Sequence, residues 1–420
     1  MLNDIAFYTF MVVSAINLAH LGFYLVGANI YDIKQFRRMR MSPKHRRVAP
    51  LVSVLIPAHN EGVSIIDCLD SVRRSSYRKL QIIVIDDAST DNTRQLIRDY
   101  IAKYPTRPIS LMYRQKNQGK ASALNHALRR RAKGDLVMTL DGDSILHKDA
   151  IKRAVAYFDD PQIAGVAANV KIMDSQTILG LLQKFEHMAG YRSKKFYSLS
   201  NSEYIIGGVA STYRRSILQK VKFYDHDTLT EDIGLSLKIT ALGNKDQRLT
   251  YGADVMAMTE GVHTFKALIR QRYRWKMGGL QNIFKHTNLL GRTDRYSRML
   301  TYYRLPMAFF GEVMLLIEPL LMAYILYLSI ISKNPALFTG AYMMISVYLL
   351  LVLLPDEHTN SRKKIELMTY VPILYFIFFI MNVVQLVSIF RCLKNYKQFL
   401  GKAETASSWV SPERLGRQAS

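Results

Sequence analysis

Cysteine is nearly absent from this chain of 420 residues, with only Cys68 and Cys392 present. Two thiols cannot build a disulfide scaffold or a four-ligand structural zinc site, so a disulfide-stapled secreted module is excluded. Acidic residues are the other shortage: 33 Asp plus Glu against 57 Lys plus Arg leave a formal charge of +24. A chain this basic suits an anionic partner such as nucleic acid, a membrane surface or the phosphates of a nucleotide. Internal repeats and low-complexity stretches are also lacking. Apolar residues nevertheless make up 49%, too many for a disordered chain, and the length allows two or three domains.

The apolar residues are segregated. Ile5 to Gly27 runs with His20 as its only side chain able to charge near neutral pH. As a helix rising about 1.5 Å per residue, such a run crosses a ~30 Å hydrocarbon core. Asp4 precedes it, no Lys or Arg does, and no small-residue cleavage site follows, so it reads as an anchor and not as a removable signal. The basic cluster from Lys34 to Arg47 then holds its flank in the cytoplasm, with the N-terminus outside. Three more runs follow: Leu305 to Ile331, interrupted by Glu312 and Glu318-Pro319, and the uncharged Pro335 to Leu354 and Tyr370 to Phe390. The last two lack the polar stripe of a core helix, so a multi-pass protein of the cell membrane is expected, with the lipid bilayer as partner. One conflict remains, since three further crossings would set Arg391, Lys394, Lys397 and Lys402 outside, against the positive-inside rule. Either the last loop is an exception, or Leu305 to Ile331 does not cross as a simple helix.

Between Arg47 and about Thr301 the pattern changes. Val52 to Ile56, Ile82 to Ile85 and Leu136 to Leu140 read as buried parallel strands, with Ser64 to Arg73 and Thr90 to Lys103 as helices between them. That alternation implies an α/β domain with a mostly parallel sheet, whose ligands bind beyond the carboxyl ends of its strands. Carboxylates gather there. Asp86 and Asp87 follow one strand and Asp141-Gly142-Asp143 another. Asp-Gly is also a turn dipeptide, but Asp-x-Asp lets two carboxylates meet one Mg²⁺ or Mn²⁺ alongside phosphate oxygens and water. Thr230-Glu231-Asp232 reads as a capped helix start, and equally as a general base placed to take a proton from an attacking hydroxyl. Gln271-Arg272-Tyr273-Arg274-Trp275 lies in a basic amphipathic helix with Phe265, Leu268, Leu280 and Phe284 apolar. Arginine grips diphosphate in a bidentate manner, and tryptophan offers a flat face to sugars.

Taken in order, Asp86/Asp87, Asp141-Gly-Asp143, Thr230-Glu231-Asp232 and Gln271-x-x-Arg274-Trp275 resemble the D, DxD, TED, QxxRW signature of family 2 inverting glycosyltransferases. The resemblance is narrower to the processive membrane β-glycan synthases, of the poly-N-acetylglucosamine, chitin-oligosaccharide, hyaluronan and cellulose types. Pro57-Ala-His-Asn60-Glu61 is similar to that family's first strand and loop, and Asn117-Gln-Gly119-Lys120 to its nucleotide-binding helix start.

The resemblance implies a GT-A-like, Rossmann-related fold and a UDP-sugar donor, with N-acetylglucosamine favoured and a growing glycan as acceptor. It implies donor binding by Pro57, Asn60, Glu61, Asp86, Asp87, Lys120, Asp141, Gln271, Arg272 and Arg274. Asp141 and Asp143 would hold Mg²⁺ or Mn²⁺, Asp232 with Glu231 would be catalytic, and Gly207, Gly208 and Trp275 would face the acceptor. Nucleic acid is not expected, because it gives no reason for carboxylates to converge at strand ends. Glu312 and Glu318 are candidates to line a glycan path, and accessory membrane subunits are a further partner class. The alternative function is a single-sugar transfer to a lipid carrier or glycolipid by the same fold.

The expected organisation is a transmembrane helix over 1–30, a basic linker over 31–50 and the cytoplasmic GT-A domain over 51–262. Interface helices over 263–300, three transmembrane helices over 301–392 and a basic tail over 393–420 follow.

Overall fold

The computed structural model describes residues 2–40, 49–106, 108–173, 177–356 and 359–400. Lys44, Arg46 and Arg47 of the basic linker, and the tail from 401 to 420 with Lys402, lie outside the described residues. Among the described residues, eight strands form one sheet: β1 (Val52–Ala58), β2 (Leu80–Asp86), β3 (Ile109–Tyr113), β4 (Leu136–Thr139), β5 (Ser144–Leu146), β6 (Ile163–Ile172), β7 (Ser211–Arg214) and β8 (Arg248–Thr259). Their order is β3-β2-β1-β4-β7-β6-β8-β5. The β3-β2-β1-β4 half is wholly parallel, as expected from its unbroken apolar runs. β7 runs antiparallel between β4 and β6, and β5 antiparallel on β8, so the sheet is mixed.

Every residue of β1 is buried, because helices cover both faces and successive side chains point to opposite sides. Val52, Val54 and Ile56 pack with α2 (Ile65–Arg73), α3 (Thr93–Lys103) and α5 (Ala150–Tyr157). Leu55 packs on the other side, with α4 (Lys120–Arg130), α7 (Arg215–Lys220) and α8 (Glu231–Thr240).

A helical assembly flanks this domain. It comprises α1 (Leu2–Arg40), α6 (Ile178–Leu199), α9 (Phe265–Lys285), α10 (Leu305–Ile331), α11 (Ala336–Leu353), α12 (Ser361–Thr369), α13 (Val371–Lys394) and α14 (Tyr396–Phe399). The C-terminal part of α1 is fastened to α6, where Asp32 pairs with Arg192 at 3.0 Å and with Lys195. Among the described residues, three helices are long and apolar enough to cross a membrane: Phe7–Arg37, Met299–Ile331 and Val371–Lys394. The fourth expected crossing, Phe338–Leu353 within α11, is shorter. The expected apolar seam on α9 is only partly buried. Leu268 packs among α6, α11 and α13, while Phe265 and Phe284 are exposed.

Candidate active site

The ends of β1, β2 and β4 converge on a small cleft lined by Pro57, His59, Glu61, Asp87, Lys120, Asp141, Gly142 and Asp143. The two neighbouring aspartates at the end of β2 part company here. Asp86 is fully buried, and its carboxylate accepts from the Ser89 backbone N–H at 2.9 Å and from Arg94 at 2.5 Å, so it shapes the turn. Asp87 faces the cleft, held by the Gly119 N–H at 2.9 Å and by Arg114 at 3.1 Å. Burial raises its pKa, and Arg114 opposes that shift. Asn60 also acts within the loop. It adopts a left-handed φ of 57°, and its side-chain oxygen accepts from the Thr90 N–H at 2.8 Å, which ties the β1 loop to the β2 loop. Glu61 lines the cleft and accepts from Ser64 Oγ at 3.1 Å.

Lys120 opens α4 and joins the two acidic motifs. Its Nζ lies 2.5 Å from Asp141 and 3.4 Å from Glu231. Burial alone would lower its pKa, but Asp141, Glu231 and Asp232 outweigh that and hold the ammonium charged. Asp143 is buried beside Asp141 and accepts from Ser144 Oγ at 2.9 Å. Among the described residues, no group of three or more metal-ligating side chains is present.

Asp232 is pushed up to about 6, first by burial and then by the charge of Glu231, with Lys120 pulling the other way. The start of α8 does not have the expected cap. Thr230 occupies the position, and its carbonyl accepts from the Gly234 N–H at 3.1 Å, but its side chain makes no cap bond; its hydroxyl and carbonyl oxygens both accept from Asn282 Nδ2 of α9 at 3.1 Å. The Ile233 N–H donates to the Asp232 carboxylate at 2.9 Å. Gly208 lies against Lys120 and Asp232, since a Cβ there would sit 2.7 Å from Lys120 Nζ and 3.6 Å from an Asp232 oxygen. Gly207 faces open space.

The α9 residues form a second group, next to the first. Arg272 is not available as a phosphate grip. It is buried, makes two 2.7 Å bonds to Glu186 of α6, and stacks 4.3 Å over the Trp275 ring. Glu186 has no sequence signature, and only the packing of α6 on α9 brings it there. Gln271 keeps a buried side-chain oxygen without a hydrogen-bond partner among the described residues, and Arg274 is half-buried beside Trp275. Trp275 lines a cavity of about 210 Å³ with Tyr204, Ile233, Lys276, Glu312 and Gln385. Ile233 follows Asp232 directly, so the helix start that meets Lys120 through Glu231 also borders the cavity. Lys276 bonds Glu312 at 2.7 Å, and neither partner was legible as a pair from sequence.

Residues 53–222 match the model of the family described as "Glycosyl transferase family 2". The poly-beta-1,6-N-acetyl-D-glucosamine synthase of Staphylococcus epidermidis is 30% identical over 262 residues, covering 61% of this chain and 62% of that protein. The Staphylococcus aureus (strain COL) protein of the same name is 32% identical over 247 residues, 58% of each chain. The chain thus matches less than two thirds of the length of these relatives. Among solved structures, the mannosyltransferase PcManGT from Pyrobaculum calidifontis, in complex with GDP-Man and Mn²⁺, is similar in fold. Its TM-score is 0.55 at 21% identity, over 85% of this chain and 99% of that one.

Proposed function

Residues 53–222 form a glycosyl transferase family 2 domain, and from that premise we propose that the protein is an inverting glycosyltransferase extending a β-linked polysaccharide from a UDP-sugar. The proposed sugar is N-acetylglucosamine, after the names of the relatives. The observation that carries the reading is the convergence of Lys120, Asp141, Glu231 and Asp232 around Gly208 at the strand ends.

In this reading the slot between Pro57, Glu61 and Asp87 takes the nucleoside, and Lys120 sets a fixed positive charge beside the diphosphate. Asp232 accepts the proton of the acceptor hydroxyl. The oxygen attacks the anomeric carbon as the bond to UDP breaks with its electron pair, and configuration inverts. A carboxylate with its pKa near 6 is suited to this, being charged at neutral pH yet basic enough to take a proton. Asp141 and Asp143 are the residues that would hold a divalent cation. Two carboxylates suffice for Mg²⁺ or Mn²⁺, which fill the remaining positions with phosphate oxygens and water. Such an ion, when bound, offsets the charge growing on the leaving diphosphate.

Gln271 and Arg274 cap the donor in this proposal, and Trp275 offers the terminal sugar a stacking face at the mouth of the adjoining cavity. The bilayer receives the apolar helices. The α/β domain is cytoplasmic, on the side of the basic residues Lys34 to Arg40 at the end of α1.

Membranes carrying the protein, incubated with a panel of UDP-sugars, should release UDP with UDP-N-acetylglucosamine and yield a ladder of products on a sizing gel. Uniform addition of one sugar would replace chain growth by single transfer, and no release with any donor would sink the assignment.

A further inference from the structure

We propose that α13 does not cross the bilayer. It lies within the leaflet next to the α/β domain, so the chain crosses three times and its C-terminal end stays on the side of that domain. From the preceding reading this takes only that the apolar helices meet a membrane.

By length and composition alone α13 qualifies as a span. Its 24 residues make a rod of roughly 36 Å, so a crossing would put its two ends on opposite faces of a ~30 Å core. Both ends are instead held by one body. At the start, Val371 and Leu374 are buried with Leu182 and Phe185 of α6. The loop before α12, the short helix that leads into α13, is held by Lys171 of β6, whose Nζ lies 2.8 Å from Asp356. Beyond the other end, Asn395 donates to Tyr273 of α9 at 3.3 Å, and Tyr273 donates to Gln398 at the same distance. Gln281 of α9 donates to the Gln398 carbonyl, also at 3.3 Å.

α9 cannot be the outer anchor of a crossing helix, because it is fastened directly to the α/β domain and to α6. Arg272 binds Glu186, Asn282 binds Thr230, and Lys285 binds Asp225 at 2.7 Å. Midway along α13, Gln385 lines the same cavity as Arg272 and Trp275. The helix therefore runs beside α9. Ile373, Phe376, Ile380, Val383 and Phe390 form one exposed stripe along it, and this stripe is what the proposal places against acyl chains.

The neighbouring helices behave differently. α10 leaves the domain near Glu312, which Lys276 holds, and α11 returns to it, with Leu353 buried among the α6 residues. The turn joining them lies at the far end of a 27-residue helix, ~40 Å long. α1, α10 and α11 then make three crossings. Arg391, Lys394 and Lys397 fall on the side of the α/β domain, which removes the conflict with the positive-inside rule and sets them near anionic headgroups.

The test uses three exposed positions in the full-length protein: R98C on the α/β domain, K333C at the α10–α11 turn and K397C beyond α13. The native Cys68 and Cys392 are both buried and give little background. With a membrane-impermeant maleimide on intact cells, K333C should label fully, whereas R98C and K397C should label only after permeabilisation. K397C labelling together with K333C, against R98C, would overturn the proposal. So would identical behaviour at all three positions. Extraction of the protein from membranes by carbonate would instead remove the membrane reading itself, and UDP release by each variant reports separately on the glycosyltransferase reading.

Discussion

Asp232 is the residue on which the proposed chemistry turns. Only its charged form can accept a proton, so kcat/KM should fall as pH drops through about 6 and level off above it. Asp232→Asn should lower turnover by roughly 10²–10⁴-fold and abolish that acidic limb, with UDP binding kept. If the limb survives, another group is responsible for it. Gly208→Ala tests the close approach of the backbone. The new Cβ would meet Lys120 Nζ at 2.7 Å, and the flexible end of that lysine must move, so turnover should drop while the thermal midpoint stays near that of the parent. An unchanged rate would show that Lys120 needs no fixed place. Which of two adjacent carboxylates faces the cleft could not be read from Asp86-Asp87 as a string. It depends on Arg94 and the Ser89 N–H claiming one of them and Gly119 and Arg114 the other.

At the scale of elements, the joint between α8 and α9 carries the most consequence. Gly278 of α9 packs on Thr230, and a Cβ there would fall 2.4 Å from Thr230 Oγ1 and 2.8 Å from its backbone nitrogen. Backbone cannot give way as a side-chain tip can. Gly278→Ala should therefore destabilise the protein by about 1–3 kcal/mol and reduce turnover together with it, because Glu231 and Asp232 follow Thr230. Denaturation in detergent and UDP release measure the two effects, and a stable variant of full activity would mean that the joint is not rigid. Strands β1, β2 and β4 and helices α2, α9, α10 and α13 begin within a few residues of where periodicity puts them. The half of the sheet built from β5 to β8 was not legible, since its order is set by long-range pairing and not by local pattern. The same holds for Arg272, whose neighbour Glu186 lies 86 positions away.

For the whole molecule, the divalent cation and the membrane are the two external requirements of the proposed function. A chelator should abolish UDP release, and Mn²⁺ or Mg²⁺ should restore it. Asp143→Ala should mimic the chelated state at low metal while leaving the fold intact. Full activity of that variant in metal-free buffer would remove the metal from the scheme.

Composition and pattern by themselves determined that the chain joins apolar helices to an α/β domain, and that carboxylates stand at its strand ends. These are local consequences of side-chain period and run length, which a linear string carries in full. Tertiary structure alone decided which carboxylates share the cleft with Lys120, that Arg272 is consumed by Glu186, and that both ends of α13 return to one body. Each of those rests on contacts between residues far apart in the chain, and an apolar run of 24 residues has the same composition whether it stands across a bilayer or lies along it.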